Sequence, residues 1–298
     1  MALAAETRAD RAGFGIALML TAWAFFALTD TSVKWLVLAG LPAMQLAFFR
    51  YFVSFLISAG IAVRHGTVLP SASRRNLALV VLRGMLLVLA TVLNFIALNY
   101  LPLSVTSSIM NSSPILVTLM AVPLLGEKVG PFRWAAVVTG FAGVLLVIRP
   151  FGADFHWASV LIFLNAICLA LFAILTRKLS GTIPTQTMQL AMGALGSVVL
   201  LPFAIATWRT PQTPLDLALM LGLGLWAWAG HEIFARAHAF APTNVLMPFA
   251  YSSILYLTTA SYLVFGSVPD RATLLGAGVI VGSGLTIWWR EQMRRAPR

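Results

Sequence analysis

From Gly13 to Leu36 the chain runs with a single acid, Asp30, and a single base, Lys34, and runs of the same kind recur almost to its end. That pattern constrains the fold more than any motif does. A helix rising 1.5 Å per residue needs about 20 apolar residues to cross about 30 Å of hydrocarbon. Composition agrees: 60% of the residues are hydrophobic and 10% charged, where soluble globules carry about 25% charged residues. Barrel strands would alternate apolar and polar faces over about 10 residues, and these runs do not alternate. The fold class is therefore an all-α integral membrane protein.

The apolar runs predict ten transmembrane helices, at 13–36, 42–63, 76–99, 102–123, 131–149, 156–176, 184–207, 215–237, 241–264 and 272–290. Turn residues mark the short connections, among them Leu41-Pro42, Leu101-Pro102, Pro131, Thr210-Pro211 and Val268-Pro269. No stretch is long or polar enough to form a soluble domain. The first run outlasts the core of a cleavable leader and reads as a retained helix. The single Cys168 lies in an apolar run and allows no intrachain disulfide.

The formal charge of +11 is explained by topology. With both termini placed in the cytoplasm, fourteen of the 20 basic residues fall on that side: Arg8, Arg11, Arg64, Arg74, Arg75, Lys128, Arg133, Arg177, Lys178, Arg236, Arg290, Arg294, Arg295 and Arg298. Lys34, Arg149, Arg209 and Arg271 fall on the other side, and Arg50 and Arg83 lie inside helices. This is the positive-inside bias of a multi-pass protein of a bacterial inner (plasma) membrane. It leaves no reason to expect a nucleic-acid partner.

The stretch from Leu101 to Val147 is written a second time. Pro102, the turn at Gly126 and a glycine-marked final run return 140 residues later as Pro242, Gly266 and the run through Gly276, Gly282 and Gly284. The chain divides into 1–149 and 150–298, with five passes each. An odd number of passes sends the second copy into the membrane from the opposite side. Inverted repeats around a central cavity, rocking to expose a midplane site to either face, are a recurrent device of secondary transporters.

Ten helices, Arg50 in helix two, the passage Asn94…Tyr100-Leu101-Pro102, Pro114 in helix four and Leu125-Gly126-Glu127-Lys128 before helix five together resemble the drug/metabolite transporter superfamily of EamA type. Ser267 departs from the pattern, standing where the second copy of the turn would carry Glu. Within the superfamily the length and aromatic content are similar to the YddG-like amino-acid exporters. The resemblance implies two four-helix layers around a central cavity, helices five and ten packed outside, and export of small metabolites from the cytoplasm.

Ionisable groups inside the bilayer are costly and mark candidate sites. In helix one Asp30 and Lys34 stand four apart and are placed to pair along one face. Alternatively, Asp30 and Trp23 form an acid-plus-aromatic stripe for an amine. Arg50, about 12 Å into helix two, is too deep to snorkel, and serves as a structural clamp or a substrate contact. In helix three Arg83, Ala90 and Asn94 share a face; Arg83 either snorkels to headgroups or meets a carboxylate. In helix four Ser104, Ser108 and Asn111 form a stripe ahead of Pro114, which frees a carbonyl around Met110. Asn244 and Tyr251 form the matching stripe in helix nine, and Phe163 is a third deep aromatic.

Helix eight carries Trp228, His231 and Glu232, with Arg236 one turn on. A zinc-peptidase motif is excluded because Ala235 holds the place of its second histidine. Glu232 pairs with Arg236 or, unpaired in one conformation, serves as a proton carrier. Gly278 and Gly282 give helix ten a close-packing spacing. No metal or cofactor is expected. The expected function is alternating-access export of amino acids with aromatic or other large neutral side chains, by a monomer. The alternatives are a multidrug exporter of cationic lipophiles, dependent on Asp30 or Glu232, and an intramembrane enzyme or lipid scramblase.

Overall fold

In a computed structural model the described residues are 2–65, 73–125, 131–150, 152, 155–179, 182–241 and 243–295. The turn residues Gly126, Glu127 and Lys128, the repeat anchor Pro242 and the side chain of Asn244 lie outside what is described. The described chain is helical almost throughout. Its elements are α1 (Ala2–Leu38), α2 (Ala43–His65), α3 (Arg74–Ala97), α4 (Leu103–Met110), α5 (Ser113–Leu125), α6 (Pro131–Ile148), α7 (Ala158–Leu179), α8 (Thr185–Ala206), α9 (Pro214–Phe240), α10 (Thr243–Leu246), a 3-10 helix (Met247–Tyr251), α11 (Ser252–Phe265) and α12 (Arg271–Arg295).

Seven of these helices are long and apolar enough to span a membrane individually, and the core of α6, Trp134–Ile148, is a shorter apolar helix. The ten expected passes are present, but the fourth and ninth are broken. In the fourth, α4 ends at Met110 and α5 restarts at Ser113, beside Pro114. A proline removes one helical donor and crowds the preceding turn; here the Ser113 hydroxyl donates to the Met110 carbonyl at 2.8 Å. In the ninth, the 3-10 segment containing Pro248 separates α10 from α11. Neither α5 nor α11 is long enough to span alone.

The packing order carries the repeat. Helix α1 lies on α9 and α3 on α7, α2 on α8, α6 on α12, and α4 crosses α11. Exchanging the first five passes for the last five turns the α1–α9 contact into α7–α3 and maps the other three pairs onto themselves. Among the lesser contacts, α2 with α9 becomes α8 with α3. Each half contributes five passes. Helices α6 and α12 form the outlying pair.

That pair meets backbone to backbone. A Cβ added at Gly143 would stand 2.9 Å from the Gly276 carbonyl oxygen, and one at Gly276 would stand 2.7 Å from that of Gly143. The Ser283 hydroxyl donates to the Ala136 carbonyl, and Arg149 is paired with Asp270 at one end. The expected contact through Gly278 and Gly282 is corrected, because both face open space. The spacing was sound, but α12 presents a different side to its neighbour.

Cross-ties gather at the end of the bundle where α1 finishes. Gln45 donates to the Arg209 carbonyl at 2.8 Å and accepts from the Arg209 N–H at 2.9 Å. The Trp35 indole donates to Asp216, which also closes a capping box with Thr213 at the start of α9. Helix α11 stops at Gly266, whose φ of +62° suits a residue with no Cβ.

Candidate functional site

The polar centre is built on α3. Its buried residues include Arg83, Ala90, Thr91 and Asn94, and Thr91 and Asn94, three apart, are neighbours on one helical face. Asp30 of α1 accepts a hydrogen bond from Asn94 Nδ2 at 3.0 Å. Arg50 of α2 donates from Nη1 to Thr91 Oγ1 at 2.8 Å. The Tyr51 hydroxyl meets the same Thr91 oxygen at 2.8 Å, and the Arg50 guanidinium lies 5.0 Å from the centre of the Tyr51 ring. The Arg50 charge reaches Asp30 through space, yet among the described residues the two form no direct ion pair. Asp30 and Arg50 are half-buried, whereas Tyr51, Thr91 and Asn94 are buried.

Arg83 is buried too, at 6% exposure, which overturns the snorkelling alternative. Its Nε donates to Thr176 Oγ1 of α7 at 2.7 Å, and its guanidinium lies 4.2 Å over the Phe172 ring. Thr176 passes its own proton to the Phe172 carbonyl. Arg83 Nη1 is buried without a partner. The charges of Arg50 and Arg83 both act on Tyr51 and on His231, so the two cations share one polar neighbourhood. Asn165 of α7 donates to the Ala90 carbonyl at 2.7 Å, next to Thr91, and leaves its Oδ1 buried and unpartnered.

Aromatic rings from α1 and α9 adjoin this centre. Trp23 and Phe26 meet edge to face with centroids 5.5 Å apart, and Phe26 meets His231 at 5.0 Å. Trp23 Nε1 and His231 Nε2 are buried without partners. Asp30 follows Phe26 by one turn on α1.

The structure thus brings Asp30, Arg50, Arg83 and Asn94 into one region, with Trp23 beside it through Phe26 and packed on Met19, Ala237 and Leu246. Trp228 is half-buried on α9, one turn before His231. The other candidates lie in different surroundings. Ser108 returns its hydroxyl proton to the Ser104 carbonyl of its own helix. Asn111 donates to the Ser107 carbonyl and, at 3.0 Å, to Ser253 of α11, a residue outside the expected stripe of helix nine. Tyr251 packs its hydroxyl end on Gly284 of α12, and Phe163 packs against Phe141 of α6.

Two expected ion pairs resolve in opposite ways. Lys34 does not pair with Asp30; its ammonium donates to the carbonyls of Leu98 at 2.6 Å and Leu101 at 3.1 Å. The chain turns after α3 there and leaves carbonyls that a cation satisfies. Glu232 does bond Arg236, at 2.9 Å one turn away. Sequence reasoning missed Phe26, Tyr51, Thr91, Asn165, Phe172 and Thr176, and weighed His231 only as a metal ligand. Among the described residues no cluster of three His, Cys, Asp or Glu is placed to hold a metal.

The EamA-like transporter family model matches residues 13–149. A riboflavin transporter of Rhizobium johnstonii is 30% identical over 289 residues, covering 96% of this chain and 94% of that protein. An S-adenosylmethionine uptake transporter of Rickettsia bellii is 27% identical over 252 residues, covering 85% and 86%. One solved crystal structure superposes with a TM-score of 0.63 at 16% identity, over 96% of this chain and 99% of the other, a likeness of fold. The ten passes, their exchangeable packing and full-length relatives named as transporters all lead to one assignment: the chain belongs to the EamA-like transporter family, within the drug/metabolite transporter superfamily.

Proposed function

We propose that this transporter moves amino acids with aromatic or other large side chains, and small metabolites of similar build, across a bacterial inner membrane by alternating access. The observation that carries the reading is the separation of Asp30 and Arg50, each bonded to a neutral side chain of α3. A substrate bearing both an ammonium and a carboxylate has a partner for each: Asp30 for the first, Arg50 with Arg83 for the second. Trp23 and Phe26 stand one to two turns away on α1 for an apolar side chain. Residues 1–149 and 150–298 are the two moving halves, and both termini face the cytoplasm.

Glu232 is engaged by Arg236, so Asp30 is the better-placed acid for any proton coupling. A second reading, a flat heteroaromatic metabolite, draws support from the relatives named for riboflavin and S-adenosylmethionine. It also draws on the unpartnered ring nitrogens of Trp23 and His231. Proteoliposome uptake and counterflow with tryptophan, phenylalanine, threonine, riboflavin, S-adenosylmethionine and a quaternary ammonium dye separate these readings. Saturable tryptophan or phenylalanine counterflow is expected. Movement of the dye alone would end the amino-acid proposal, and movement of riboflavin alone would establish the second reading.

A further inference from the structure

The charges of the proposed site do not balance. Among the described residues Asp30 is the one acid at the centre of the constellation, Glu232 being occupied by Arg236, Asp216 by Thr213 and Trp35 and Asp270 by Arg149 and Thr273. Arg50 acts on Asp30 and Arg83 joins it in acting on Tyr51 and His231, so Arg50 and Arg83 less Asp30 leave one positive charge in this constellation, Lys34 being taken up by the Leu98 and Leu101 carbonyls near the end of α1. His231 adds no acid. A charge held away from water without a counter-charge is expensive, and a zwitterion would leave the excess in place. An organic monoanion would cancel it.

Hydrogen bonding gives independent support. Arg83 is fixed on two sides, by Thr176 at Nε and by the Phe172 face below the guanidinium plane. That leaves Nη1, a charged donor, buried with no acceptor. Buried donors nearly always have partners, and a charged one left bare is costly. An Arg edge held rigid by its neighbours suits planar carboxylate oxygens.

We infer that Arg83 recognises the acidic group of the substrate together with Arg50, and that the transporter prefers aromatic carboxylates lacking an amine over the matching amino acid and amine. The inference rests on the site proposed above, but makes the carboxylate essential and the ammonium dispensable.

Three indoles of one ring size test it: indole-3-lactate, L-tryptophan and tryptamine, an anion, a zwitterion and a cation at neutral pH. They are to be measured as competitors of tryptophan counterflow in proteoliposomes, and as stabilisers of the detergent-purified full chain in thermal denaturation. The expected order is indole-3-lactate, then tryptophan, then tryptamine, with about tenfold or more between first and last, the worth of one charge-assisted hydrogen bond. Arg83→Gln should erase that order, and Arg83→Lys should keep part of it.

Tryptamine acting as well as indole-3-lactate would overturn the inference and leave amino-acid transport standing. An Arg83→Gln protein that folds and weakens all three ligands equally would also overturn it, reducing Arg83 to an α3–α7 clamp. Stabilisation by indole-3-lactate through Arg83 without tryptophan counterflow would uphold it and end the amino-acid reading. No stabilisation by any of the three would overturn both.

Discussion

Asp30 and Arg50 are each tied to α3, at Asn94 and Thr91, and not to each other. Two opposite charges in a low-dielectric interior attract strongly, so holding them apart requires competing partners. Thr91 and Asn94 are those partners.

Thr91→Val tests the first of them. The change keeps the shape and removes the one oxygen that Arg50 and Tyr51 share. It should lower stability by about 1–3 kcal/mol, the cost of leaving buried polar groups unpaired, read as a lower denaturation midpoint in detergent. It should also impair transport. A variant with unchanged stability and transport would mean that Thr91 holds nothing in place.

Lys34→Met should destabilise without altering selectivity. The substitution strips two carbonyls, Leu98 and Leu101, of a buried donor, at about 1–3 kcal/mol. Ligand order in the competition assay should be untouched. A changed order would place Lys34 in the site.

The acids on α1 and α9 should differ sharply. Asp30→Asn removes the charge at the polar centre and should cut transport at least tenfold, about the factor that 1.4 kcal/mol represents. Glu232→Gln breaks a one-turn pair with an exposed arginine, of the kind worth a few tenths of a kcal/mol, and should change transport less than about twofold. The reverse result would return the coupling role to Glu232.

The glycines of α12 give a contrast within one helix. Gly276→Leu drives a side chain into the backbone of α6 and should cost about 1–3 kcal/mol or prevent folding. Gly278→Ala meets open space and should stabilise by about 0.5–1 kcal/mol, because glycine is a poor residue in a helix interior. Thermal denaturation of the two variants side by side decides it.

Asp270 gives the chain an acid-sensitive joint. The Thr273 backbone N–H foremost, and also Arg149, hold its carboxyl below the ordinary carboxylate range. The folded state therefore binds this proton less readily than the unfolded chain does. The stabilisation is complete above the unfolded value of about 3.9 and drains away as pH falls through that value and then the lower native one. Asp270→Asn should flatten this acid limb, modestly, since the group is half exposed. An identical limb in both proteins would remove Asp270 as its source.

The spans and the freed carbonyl beside Pro114 were legible because length, hydropathy and proline act locally. Partners were not. Lys34 stands four residues from an acid and instead caps a chain turn more than sixty residues away, a choice that only the packing of α1 on α3 makes. Thr91 and Phe172 look like ordinary members of apolar runs; nothing in their spacing marks them as the rest for an arginine. On α12, apolar on every side, rotation about the axis is unreadable, so nothing in the sequence favours Gly276 over the Gly278–Gly282 spacing as the contact. In the sequence His231 offers only an incomplete metal motif, and its neighbour Phe26 carries no chemistry until the two rings meet.

The bare glycine crossing of α6 and α12 has a mechanical consequence. Two helices touching main chain to main chain, with a serine bolt midway and an ion pair at one end, behave as a single spar. In the alternating access proposed above, the tilting that admits and releases cargo belongs to the other eight passes, with the spar as their fixed reference.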